Sequence, residues 1–434
     1  MSFAKLTQAV LLLLMGLVAV PTSWAQTYSV LYSFTGGKDG ASPAGGLILD
    51  TAGSLYGTAA GGSQAGSVYK LSHSGKFVLL HSFGVYGAGG AHPSGGLVED
   101  SAGNLYGATS GGGTSRDPNC FAGGNKLPSD GCGVVFKLDA NGNFSVLFSF
   151  SGKTDCWKGC EPLAPLTLDS AGNLYGTTFL GGSRDCDPYK LNNLEGFLNS
   201  DCGVVFKLDT TGNETVLHRF GNAQKSGDFP NAGFILDAAG NLYGTTEGGG
   251  INTNGGNGGA GAIFKLDPTG NETVLHFFEE FVDGDAPQSG LIQDGVGNFY
   301  GTTAYGGNPS AGSVYKLDPQ GNLTQLFSFP EGEGGQWPFG RLTMDAAGNL
   351  YGTTIAGGNQ AATCNFEGCG VVFKLDPSGH ETVLHGFTGG ADGGSPQADL
   401  VMDAAGNLYG TAPSGGAISN ACPSGCGVVF KITP

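Results

Sequence analysis

Asp237-Ala-Ala-Gly-Asn-Leu-Tyr-Gly-Thr-Thr246 decides the fold, because its pattern, Asp-x-x-Gly-x-(Leu/Phe)-Tyr-Gly, occurs seven times along the chain. The copies begin at Asp50, Asp100, Asp169, Asp237, Asp294, Asp345 and Asp403, 50 to 69 residues apart. A period of that length marks one supersecondary unit that buries its faces only against its neighbours, as in propellers and solenoids. Around the fourth copy, Gly233-Phe-Ile-Leu-Asp237 leads into the motif, and Ala262-Ile-Phe-Lys-Leu-Asp267 and Thr273-Val-Leu-His-Phe-Phe278 follow it. These segments read as four strands, a to d. The a–b and c–d turns are built from Asp, Gly and Asn, which tolerate the left-handed backbone of hairpin turns. Four antiparallel strands repeated seven times predict an all-β, seven-bladed β-propeller.

The two ends of the chain complement each other. The last copy stops after strand c, Gly427 to Thr433, whereas Tyr28-Ser-Val-Leu-Tyr-Ser-Phe34 matches strand d of the second copy, Ser145-Val-Leu-Phe-Ser-Phe150. The N-terminal strand is therefore expected to complete the last blade and close the ring, removing open sheet edges. Residues 26–434 then form a single domain of seven repeats.

Comparing the copies sorts positions by role. A Tyr-Gly pair stands in every strand b, from Tyr56-Gly57 to Tyr409-Gly410, and suits close packing between blades. An aromatic followed by Lys stands in every strand c, from Tyr69-Lys70 to Phe430-Lys431. That Lys is expected to meet the strand-a Asp or the strand-b Tyr at the base of the blade. Pro43, Pro93, Pro162, Pro230, Pro287, Pro338 and Pro396 each lie four residues before the first apolar residue of strand a. There a fixed φ sets the path of the chain and no ladder donor is needed.

The strings Asp-Ala-Ala-Gly-Asn-Leu-Tyr-Gly-Thr-Thr (237–246 and 345–354), Gly-Val-Val-Phe-Lys-Leu-Asp (133–139, 203–209, 370–376) and Thr-Val-Leu-His (215–218, 273–276, 382–385) resemble the GloVer tandem repeat of exported bacterial proteins. The resemblance spans nearly the whole chain after the leader. It implies export and a propeller-like array, often joined in the family to a C-terminal anchoring segment. None is visible before Pro434, and the resemblance brings no catalytic residues.

Residues 1–25 read as a secretory signal. Lys5 supplies the positive start, Ala9 to Val20 the apolar run, and Ser23-Trp24-Ala25 the small residues before cleavage after Ala25. The expected location is secreted or periplasmic, with no membrane span. A formal charge of −17 repels phosphate backbones and argues against nucleic acid as a partner. All ten Cys lie in the long connections. Local disulfides are expected for Cys120–Cys132, Cys156–Cys160, Cys186–Cys202, Cys364–Cys369 and Cys422–Cys426.

No sequence motif carries a reaction. His81, His218, His276 and His385 share one strand-d position that Phe148 and Phe327 also occupy, so it reads as a packing site. The sequons at Asn143, Asn213, Asn271 and Asn322 are products of the c–d turn. Asp39, Asp283 and Asp392 recur at one d–a position, which reads as a turn with calcium as the alternative. The variable d–a and b–c loops emerge on one face, where binding residues normally concentrate. On that face Trp157, Trp337, His92, Arg116 and Arg184 are the candidate ligand-binding residues, beside acids that include Glu161, Glu280, Asp283 and Asp285. The reading is a binding or scaffold module, monomeric and without cofactor, for an unknown glycan, peptide or surface protein. A carbohydrate-active enzyme using loop-face carboxylates and a structural surface component remain open.

Overall fold

A computed structural model describes residues 26–84, 87–115, 131–151, 158–182, 202–221, 226–250, 259–280, 282–307, 311–330, 334–358 and 367–433. The leader expected at residues 1–25 lies outside this set. The described residues form seven four-stranded antiparallel sheets, and two short two-stranded ladders, Gly227–Asp228 with Gly248–Gly249 and Gly335–Gln336 with Ala356–Gly357. No helix among them is long and apolar enough to cross a membrane.

In the fourth blade, strand a is Ile235–Leu236, b is Leu242–Thr246, c is Ala262–Leu266 and d is Glu272–Phe277. In the last blade the outer strand is the N-terminal one. Thr27–Ser33 pairs antiparallel with Val428–Thr433, with Thr27 opposite Thr433.

The a–b turn explains the invariant Asp. In the fourth copy Asp237 Oδ1 accepts the backbone N–H groups of Ala239 and Asn241 at 2.9 and 2.8 Å, and Oδ2 accepts the Asn241 amide at 2.7 Å. Gly240 takes the left-handed conformation (φ +85°) that closes the turn. The strand-b tyrosine hydroxyl donates to the same Oδ2, at 2.9–3.2 Å in all seven copies. The strand-c lysine lies over that tyrosine ring, with Nζ 4.7–6.0 Å from the centroid in every blade. The expected contact at the blade base is thus a stacked Asp–Tyr–Lys set. In the c–d turns the sequon asparagines donate their amides to Asp139, Asp209, Asp267 and Asp318 at 2.8–3.1 Å, so the turn employs them.

The strand-b glycine has a different reason from the one expected. It sits opposite the aromatic of its own strand c, in register, as Gly107 with Phe136. A Cβ at Gly107 would lie 2.6 Å from Phe136 Cζ, and one at Gly176 would lie 2.6 Å from Phe206 Cζ. Glycine is required inside the blade, while the neighbouring tyrosine packs toward the next one, as Tyr243 against Phe299 at 4.8 Å.

Three contacts recur at every interface between blades. First, the phenylalanine that follows strand d meets the strand-c aromatic of the next blade at 5.1–5.4 Å, with interplanar angles of 60–72°. These near edge-to-face pairs run from Phe34–Tyr69 round to Phe387–Phe430 and carry the core between sheets. Second, each proline before strand a rests on the glycine that precedes strand c of the previous blade. A Cβ on Gly66 would lie 2.5 Å from Pro93, and one on Gly312 2.7 Å from Pro338. Third, the residue before each proline donates its N–H to a carbonyl of the previous blade at 2.7–3.2 Å, as Trp337 to Ala311 and Ser42 to Cys426. The Phe34–Tyr69, Pro43–Gly427 and Ser42–Cys426 contacts join last blade to first, so the ring is closed by the same means that hold it elsewhere.

Those carbonyl acceptors belong to Cys132, Cys202, Cys369 and Cys426 at four interfaces and to Ala65, Ala260 and Ala311 at the others. Cys422 is bonded to Cys426, with Cα atoms 5.1 Å apart. Cys132, Cys160, Cys202 and Cys369 are also in disulfides. The partners expected for them, Cys120, Cys156, Cys186 and Cys364, lie outside the described residues. Each cysteine before strand c therefore braces a loop at the point where that loop grips the next blade.

Candidate functional site

Strand a runs down the axis from the loop face, so the segment after each proline lines the central channel. The seven residues just before proline are Ser42, His92, Glu161, Phe229, Ala286, Trp337 and Ser395, and all adopt φ between +53° and +59°. This region is unfavourable for non-glycine residues, more so for bulky ones, and is held here by the clasp to the previous blade. The clasp places these seven residues in one ring at the channel mouth.

Below the mouth the channel has two further levels. The residue after each proline gives Ala44, Ser94, Leu163, Asn231, Gln288, Phe339 and Gln397. Two residues deeper come Gly46, Gly96, Pro165, Gly233, Gly290, Arg341 and Asp399. Together they enclose a chamber of about 310 Å³. Between the two levels only small residues fit, because a Cβ on Gly45 would lie 2.8 Å from Gly95 O, and one on Gly340 2.5 Å from Ala398 O.

At the deepest of these levels one ion pair interrupts the small residues. Arg341 donates its backbone N–H to Asp399 Oδ1 at 2.8 Å, and its Nε lies 3.3 Å from Oδ2. Both side chains also line a second cavity of about 780 Å³ toward the turn face, whose wall includes Ile48, Leu49, Val98, Leu168, Val401 and Met402. The pair lines both cavities and stands where the upper chamber meets the lower one.

Above the chamber, over the third to sixth blades, aromatic and acidic side chains gather. Tyr305 and Trp337 meet edge to face at 6.1 Å, and Phe179 and Phe229 pack at 5.0 Å. Burial pushes the Glu247 carboxyl up to about 7, with the Asp285 charge adding to the rise, although a hydrogen bond from Gln288 at 3.0 Å opposes it. Burial likewise raises Asp285 to about 6, helped by the charge of Glu280. Burial and the charges of Glu247 and Asp285 raise the Tyr305 phenol. Gln288 lines the chamber and bonds Glu247, so it links the mouth to the channel. Such an arrangement presents aromatic faces, hydrogen-bonding groups and two acids able to hold protons near neutrality.

Of the residues expected from sequence, Trp337 and His92 stand in the mouth ring, two blades' width or more apart. Trp337 joins the Tyr305 cluster, whereas His92 Nδ1 lies 3.0 Å from Ala60 O in the opposite half. Trp157, Arg116 and Arg184 lie outside the described residues. Glu247, Gln288, Arg341 and Asp399 were missed. A signal existed for Glu247, the one ionisable residue among Ala60, Ser110, Phe179, Glu247, Ala304, Ile355 and Pro413, which follow the seven b strands.

The strand-d histidines pack as expected. His81 stacks on Phe144 at 3.8 Å and His385 on Tyr28 at 3.7 Å, each across a blade interface. His276 and His385 also bond Asp283 and Asp392 at 2.8 and 3.2 Å. Those aspartates and Asp39 cap their loops: Asp39 accepts Thr35 N–H at 2.8 Å, and Asp283 accepts Glu279 N–H at 2.7 Å. The turn reading accounts for them.

The family model of the Gloeobacter/Verrucomicrobia repeat matches residues 16–186, 122–256 and 250–434. The chain belongs to that family. No curated protein matches it. Among solved structures, it resembles the extracellular domain described as that of a hybrid two-component system from B. thetaiotaomicron, at 12% identity and a TM-score of 0.52. That alignment covers 94% of this chain, which spans 41% of the other. A gluconolactonase from Xanthomonas campestris aligns at 12% identity and a TM-score of 0.38, over 94% of this chain and 89% of that one. A luciferin-regenerating enzyme aligns at 12% identity and 0.43, over 94% and 95%. At such identities the likeness concerns the fold.

Proposed function

We propose that this member of the repeat family is an exported recognition module that takes its ligand at the channel mouth, over the fourth to sixth blades. One observation carries the reading: Tyr305 and Trp337 pair at the rim, in the sector that also holds Glu247 and Asp285. Nothing in the blade skeleton asks for these residues, since the positions of Tyr305, Trp337, Glu247 and Asp285 hold Gly61, Ser42, Ala60 and Ala41 in the first blade without loss of any interface contact. Aromatic faces beside hydrogen-bonding carboxyls suit a glycan. Screening the folded protein against glycan and peptide arrays tests this, with Trp337→Ala alongside. The reading fails if a ligand binds equally well to the variant. Export is checked separately by N-terminal sequencing of the mature chain, which should begin at Gln26.

The second reading is a carbohydrate-active enzyme, favoured by Glu247 at about 7, a carboxyl that remains partly protonated at neutral pH. In that reading Glu247 donates a proton to a leaving oxygen. Turnover of any glycoside that Glu247→Gln abolishes, with binding retained, would move the protein to this class.

A further inference from the structure

Resting on the recognition reading above, we infer that the upper chamber seats a neutral polyhydroxyl group, of the kind a terminal sugar ring presents. The chamber, about 310 Å³, lies at the small end of small-molecule sites. Its charges are compensated internally, because Asp399 holds both the backbone N–H and Nε of Arg341. An ionic ligand would have to displace that pairing, whereas hydroxyl groups would not.

The rest of the decorated wall is amide and aromatic. Asn231 and Gln397 make no hydrogen bond to other described residues, leaving donors and acceptors for a ligand. Gln288 offers its carbonyl oxygen while its amide nitrogen donates to Glu247. An amide presents a donor and an acceptor together, which matches a hydroxyl that is both. Phe339, partly buried at the same level, supplies a surface for the C–H face of a ring. The opposite wall is small and leaves the space open, with Ala44 at the level of Gln397.

The test is calorimetric titration of the full mature chain with glucose, galactose, maltose and cellobiose, each compared with glucuronic and galacturonic acid. At least one neutral sugar should bind, more tightly than either acid. Asn231→Leu and Gln397→Leu should each weaken it about ten-fold at unchanged melting temperature. Ala44→Phe, which fills the chamber from the bare wall, should abolish binding. No neutral sugar bound at about 10 mM, tighter binding of an acid, or indifference to Ala44→Phe overturns the inference. If Trp337→Ala abolishes binding while the three chamber variants do not, the mouth is the site and the chamber is not.

Discussion

The first three blades and the last four are held by the same contacts yet present different walls to the axis. Below the mouth the first three offer Ala44, Ser94 and Leu163, then Gly46, Gly96 and Pro165. The last four offer Asn231, Gln288, Phe339 and Gln397, then Gly233, Gly290 and the Arg341–Asp399 pair. The Phe–aromatic, Pro–Gly and N–H···O=C contacts do not change between the halves. Conformational demands therefore fall, in every blade, on the glycines, prolines and strand-c aromatics. The positions just before proline, and one and three residues after it, are free to differ. Function has room only where the skeleton leaves the side chain unspecified.

The largest effect tests the sameness of the halves. Phe34, Phe150 and Phe329 are fully buried, and Phe→Ala at each should cost about 3–5 kcal/mol in chemical denaturation. Similar losses would show that the closing interface is an ordinary one; a far smaller loss at Phe34 would break the picture of a ring held equally all round. The next effect tests their difference. Trp337→Ala should weaken ligand binding by about 2 kcal/mol or more in titration, as expected for a buried aromatic anchor, whereas Ser42→Ala at the equivalent position should leave it unchanged.

A pH series sharpens the comparison further. Glu247 and Asp285 have folded-state values of about 7 and 6, above those of an unfolded chain. Between about pH 4 and 7 the folded state binds more protons, so ∂ΔG/∂pH is negative for this pair. Their contribution is fully present below pH 4 and is lost as pH rises through 6 and 7. Glu247→Gln should flatten that decline in melts taken from pH 4 to 8. The turn aspartates act oppositely. Against the burial that would raise it, hydrogen bonds from Asn241, Ala239 and Tyr243 hold Asp237 below its ordinary value, so its contribution is lost as pH falls. The smallest effect concerns the blade base: Tyr106→Phe and Tyr300→Phe should each cost about 1 kcal/mol, one in either half, through loss of the hydroxyl bond to aspartate.

Much of this was legible in the sequence because repetition is. Seven copies of Asp-x-x-Gly-x-(Leu/Phe)-Tyr-Gly announce the hairpins, and Tyr28 to Phe34 matches strand d closely enough to place it in the last blade. The strand-b glycine was misread as an interblade spacer, since its reason lies in a cross-strand ring about 30 residues away in Phe136, which no local pattern displays. The Arg341–Asp399 pair was invisible for a related cause. It joins positions 58 residues apart, in two blades, both in one column that otherwise holds Gly46, Gly96, Pro165, Gly233 and Gly290. The left-handed residue before each proline is likewise imposed by the neighbouring blade and by nothing in its own identity, which ranges from Ser42 to Trp337.

The pairing of Thr27 with Thr433 has a consequence for presentation. Strand c ends, and strand d begins, on the side of the tight turns, so the chain enters the propeller at Thr27 and leaves it at Thr433 from one point on the underside of the disc. A tether at either end, to a lipid, a wall polymer or another domain, would turn the channel mouth away from its support and toward whatever approaches.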